Sequence, residues 1–160
     1  MVLPSWDNMA LPELPVEPLW AFFVPMKPRA WSEAWIGKAH RKRTTKTPQR
    51  NAMNTIACHG VLAKASAHHE MQTGPLALYI SVHTPRRGVC RYDAQTPDDT
   101  NYQKLVEDAL TGILWRDDAQ IVRNVTSKAA NTGHEGIAIM VFPVQREPPK
   151  GLHFAHSVTF

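Results

Sequence analysis

The sequence predicts an α+β domain, a mixed sheet with two helices laid down in the order β-α-β-α-β-β. Three observations predict it. Two segments repeat apolar residues at three-and-four spacing, the period of a helix, while "GPLALYISVHTP" (74–85) alternates with the period of a strand. Two further apolar stretches near the end, joined by the turn-rich "AANTGH", supply strands but no third helix. With 160 residues, 43% hydrophobic and 20% charged, the chain has the ordinary make-up of one globular domain.

Each element has its own signal. Residues 1–17 are proline-punctuated and aperiodic, an arm outside the domain proper, which spans 18–145; residues 146–160, with a double proline near their start, form a tail. "PLWAFFVP" (18–25) is a strand apolar on both faces, followed by a basic connection, 26–46, that carries Trp31 and Trp35. Thr47–Pro48 is an N-cap with proline at the first helical position. Met53, Ile56, Ala57, Gly60 and Val61 then set one face of a helix over 48–66. Leu76, Leu78, Ile80 and Val82 share a strand face, and a polar loop, 86–97, follows. The second helix is marked by Tyr102, Leu105, Val106, Ala109, Leu110 and Ile113, with Gly112 placed to stop it. "DAQIVRNVT" (118–126) and "EGIAIMVFPV" (135–144) are the last strands.

Composition excludes several classes. Cys58 and Cys90 stand far apart, outside any CxxC spacing, which argues against a disulfide scaffold and a structural zinc site. There is no basic n-region followed by an apolar core, and no apolar run near 20 residues, so neither a signal peptide nor a membrane span is expected. The formal net charge of +4 leans toward a polyanionic partner.

Against that basic background, "TPDDTNYQKLVEDALTGILWRDDAQIV" (96–122) gathers Asp98, Asp99, Glu107, Asp108, Asp117 and Asp118. Two carboxylates ~4 Å apart repel by roughly 4 kcal/mol at an effective dielectric of ~20. A lysine, a metal ion or plain solvent must offset this. A helix of ~12 residues climbs ~18 Å, and an extended return from Ile113 to Asp118 covers about the same distance. If the chain doubles back, Asp98 and Asp118 meet at the helix N-terminus. Lys104, on the face of Thr100 and Asn101, would point there too. Such a mouth suits a hard divalent cation and a phosphate. The same spacing also fits a helix cap at Asp98 or Asp99, solvated charges at Glu107 and Asp108, a Lys104–Asp108 pair, and turn residues at Asp117–Asp118.

The whole run 97–122 resembles the signature of the RusA family of Holliday-junction resolvases: PDxDNxxK opening a helix, then (E/D)DAL(T/N)G, then DDxQ(I/V). The β-α-β-α-β-β order agrees over roughly 18–144. The resemblance implies a RusA-like fold and an endodeoxyribonuclease dependent on Mg²⁺, with Mn²⁺ as a substitute ion. It further implies a homodimer acting on branched DNA, resolving four-way junctions by paired nicks in a bacterial or phage-infected cytoplasm. Carried over by position, the catalytic residues are Asp98, Lys104 and Asp118, with Asp117 beside the last; Asp98, Asp118 and Asp117 are the implied metal ligands.

One departure matters. Thr100 stands where the family pattern has its second aspartate, which removes a full negative charge from the site. Three outcomes follow: an enzyme working with two carboxylates, a site completed by Asp99 or Asp117, or a catalytically weakened junction-binding protein of the same fold. DNA contacts are expected from "GKAHRKRTTKTPQR" (37–50), where Lys38, Arg41, Lys42, Arg43, Lys46 and Arg50 stand with no acid among them. Arg86, Arg87 and Arg91 form a second basic group.

Overall fold

A computed structural model of the chain describes residues 17–28, 46–84, 99–130 and 133–144. Its elements are β1 (Trp20–Val24), α1 (Lys46–Ala67), β2 (Leu76–Thr84), α2 (Asp99–Leu110), a 3-10 turn (Asp118–Gln120), β3 (Ile121–Ala130) and β4 (Gly136–Pro143). This is the expected α+β order. The spatial order is different from the chain order: β1-β4-β2-β3. β4 runs antiparallel to both β1 and β2, while β2 and β3 are parallel. A parallel pair needs a long crossover, and α2 with its flanking segments supplies it.

Both helices lie on one sheet face. There Leu76, Leu78, Ile80 and Val82 of β2 join Ile137, Ile139 and Val141 of β4 and Trp20 and Val24 of β1. Ala52 and Ile56 of α1 and Tyr102, Leu105, Val106, Ala109 and Leu110 of α2 close the core from above. The helices approach closely where Gly60 faces Leu110 and Ile113. On the opposite face Ala77, Tyr79, Met140 and Phe142 form a second cluster, in which the Tyr79 and Phe142 rings pack edge to face with centroids 5.3 Å apart. Every residue of β2 is therefore buried, and its alternation separates two apolar environments instead of core from solvent.

Several boundaries move. α1 begins at Lys46, before the Thr47–Pro48 cap that the sequence suggested, and runs to Ala67. Residues 118–120 are a 3-10 turn, not strand, and β3 starts at Ile121 and extends to Ala130. Gly112 does end the turn after α2, with φ of 81°, a left-handed conformation that glycine adopts without strain. No described helix is long and apolar enough to cross a membrane.

Candidate active site

α2 exists because five of its residues, Tyr102, Leu105, Val106, Ala109 and Leu110, form one buried stripe. That stripe fixes where everything else on the helix points. Asp99 and Thr100 are exposed in the first turn, where the Asp99 carboxylate accepts a 2.9 Å bond from the Thr100 N–H. Lys104, one turn further, is also exposed. A negative group in this first turn is favoured by the helix dipole.

Past Leu110 the chain does not extend; it folds tightly. Leu114 N–H donates to the Leu110 carbonyl at 3.1 Å, and Gly112 N–H to the Trp115 carbonyl at 2.7 Å. The indole of fully buried Trp115 donates to Thr111 Oγ1, which itself donates to the Glu107 carbonyl. The segment is then strapped to the connection that leads into β2: Gln72 N–H donates to Leu114 O at 2.8 Å, and Arg116 N–H to Gln72 O at 3.3 Å.

Asp117 caps the 3-10 turn. Its backbone is extended, with φ of −146°, and its carboxylate accepts a 2.9 Å bond from the Ala119 N–H. The Ala119 N–H, a hydrogen bond with the Asp118 side chain and the charge of Arg116 hold the Asp117 carboxyl below the usual aspartate range. Both aspartates are exposed, and since they sit on a turn the alternation rule for a strand does not separate them. Gln120 completes a capping box with Asp117, its side chain accepting from the Asp117 N–H at 2.9 Å.

β3 then runs back beside α2 in the opposite sense. Asn124 Nδ2 donates to Glu107 Oε1 at 2.9 Å, which fixes the third residue before the end of α2 level with the fourth residue of β3. Glu107 also accepts from Gln103 Nε2, so it is a half-buried brace between helix and sheet and not the solvated charge the sequence suggested. This geometry decides the placement of the motif. Asp99, Thr100 and Lys104 lie toward the start of α2, and Asp117 and Asp118 lie beyond its end, near Gln72 and Gly74. From Asp99 to Leu110 alone the helix climbs about 16 Å. The doubling back needed to bring the two groups together within one chain does not occur, because Ile113 to Asp118 is spent in a compact turn. Among the described residues, no three acidic, imidazole or thiol groups gather as a metal-ion set.

Asp98 falls outside the described residues, as do Lys38, Arg41, Lys42, Arg43, Arg86, Arg87 and Arg91. Of the basic candidates, Arg50 is exposed on the second turn of α1, whose backbone begins at Lys46. Two residues with evident structural weight lie outside the candidate site residues, Gln120 and Asn124. The first had a usable signal, since Asp117-x-x-Gln120 has capping-box spacing. The second had none, because its partner lies across a turn.

The family described as Endodeoxyribonuclease RusA matches residues 25–142, well over half of the chain. No curated protein matches it.

Proposed function

The chain belongs to the RusA family of endodeoxyribonucleases, enzymes of the Holliday-junction resolvase type that require a divalent metal ion, and from that premise we propose that it resolves four-way DNA junctions by paired nicks, as a homodimer using Mg²⁺. The observation that carries the dimeric reading is the separation of the motif along α2. Acidic groups at opposite ends of one helix cannot grip one ion. Two copies can place the first turn of one α2 against the Asp117–Asp118 turn of the other, and a two-fold arrangement makes two such sites at once. Paired nicks require two sites.

The donor set fits the ion. Aspartate oxygens are hard ligands, and Mg²⁺ takes one or two carboxylates with waters and substrate oxygens filling its octahedron. Asp98, joined to the first residue of α2, and Asp118 with Asp117 are the residues that would hold it. When bound, the ion supplies an activated water and draws charge from the phosphoryl oxygens. The exposed Lys104 ammonium stands one turn into the helix, where it can stabilise negative charge as the phosphodiester breaks. Thr100 offers a hydroxyl to position a water but contributes no charge, leaving Asp98, Asp117 and Asp118 to supply it. The basic group of Lys38, Arg41, Lys42, Arg43, Lys46 and Arg50, with Arg86, Arg87 and Arg91, neutralises DNA phosphates.

Complementation tests this. Asp98→Asn and Asp118→Asn homodimers should each fail to cut a synthetic four-way junction in Mg²⁺. Mixed after unfolding and refolding together, they form heterodimers with one intact shared site, and single nicks should return. If the mixture stays silent while wild type cuts, each site is built within one chain and the shared arrangement is wrong.

A further inference from the structure

We infer that Gln120 is a positioning residue that sets the Asp117–Asp118 carboxylates for the metal ion; this rests on the reading above. A 3-10 turn of three residues cannot hold its own orientation, since it makes too few internal hydrogen bonds. Yet the two aspartates stand at its exposed start. What anchors the turn is one side chain. Gln120 Oε1 accepts from the N–H groups of both Arg116 and Asp117, each at 2.9 Å. Its Nε2 donates to the carbonyls of Gln72 at 3.1 Å and Gly74 at 2.8 Å.

All four of the amide's hydrogen-bonding positions, two lone pairs and two N–H donors, are thereby used, and used in a single orientation. The oxygen grips the backbone that carries the aspartates. The nitrogen grips the strand lead into β2, more than forty residues away in sequence. Glutamine alone among side chains of this length offers both kinds of group. Glutamate would keep the two accepted bonds but set an oxygen against two carbonyl oxygens. Leucine would leave two N–H groups and two carbonyls without the partner. The carboxylates thus inherit their placement from the sheet through Gln120, and changing it should loosen metal binding without touching a ligand. Losses of this kind run about 10–100-fold in affinity.

The test is a Mn²⁺ titration, read by water proton relaxation, on wild type, Gln120→Glu and Gln120→Leu, with thermal unfolding of each. The expected result is a dissociation constant raised about 10–100-fold in Gln120→Leu and by a smaller factor in Gln120→Glu, which keeps half of the clamp. Affinity for junction DNA without metal should not change. Should Gln120→Leu fail to fold, the near-isosteric Gln120→Glu carries the comparison. Wild-type Mn²⁺ affinity in the folded variants, with only the unfolding temperature lowered, would make Gln120 a stabilising residue and overturn the inference alone. No Mn²⁺ binding by wild type would overturn the metal-nuclease reading and this inference with it.

Discussion

The two ends of α2 carry similar chemistry on dissimilar supports. At the start, Asp99, Thr100 and Lys104 project from regular helix, and their directions follow from the buried stripe beneath them. At the far end, Asp117 and Asp118 project from an irregular turn held by Gln120, Trp115, Thr111 and the backbone of Gln72. The first end is placed by periodicity, the second by a web of specific hydrogen bonds. Substitutions should therefore act differently at the two: on chemistry alone at the helix start, on placement or stability around the turn.

The largest expected effect is at the start. Lys104→Ala should lower the junction-cutting rate by about 10²–10³-fold, with only a small shift in unfolding temperature, because the side chain is exposed, its loss opens no cavity, and an exposed ion pair contributes about 0–1 kcal/mol. A comparable fall in stability would erase the contrast between the ends. Behind the far end, where β3 runs back beside α2, Asn124→Leu removes a donor from the half-buried Glu107 carboxylate and should cost about 1–3 kcal/mol in urea unfolding. A third substitution sharpens the picture at the start: Thr100→Asp should raise cutting several-fold and stabilise α2 by about 0.3–1 kcal/mol through the helix dipole. If it leaves the rate unchanged, charge is not what limits that end.

The smallest effect is a pH dependence at Asp117. Its folded-state pKa is lowered, chiefly by the Ala119 N–H, so the carboxylate's contribution to stability is present above the ordinary aspartate value and is lost as pH falls through the lowered one. Unfolding curves on the acid side should therefore be slightly less steep in pH for Asp117→Ala than for wild type. An identical slope would mean that the cap does not outlast the unfolded chain's own titration.

Much of this was legible before any coordinates. The stripe from Tyr102 to Leu110 and the alternation from Leu76 to Val82 are properties of single elements, and both elements formed where the pattern put them. What pattern could not convey was the path from Ile113 to Asp118. Its length permits an extended return, and only hydrogen bonds to residues near Gln72 make it compact. For the same reason Asp118 read as strand: the residues after it are strand, and the capping box that pulls 118–120 out of the ladder is finished by bonds to Gln72 and Gly74. The family resemblance points to which residues would form the site, but whether they meet within one chain depends on that turn.

The place of β4 in the sheet has a consequence for how the protein is made. It is the last described strand in the sequence, yet it lies between β1 and β2 and, among the described residues, is the only strand that pairs with β1. Until residues 136–143 leave the ribosome, β1 lacks its partner among the described strands, and the edge of β2 that β4 covers stays open. Long-range pairing of this kind slows folding. A nascent chain stalled before Gly136 would hold an incomplete sheet, a state that invites capture by chaperones, and a truncation at that point would remove the keystone instead of an edge.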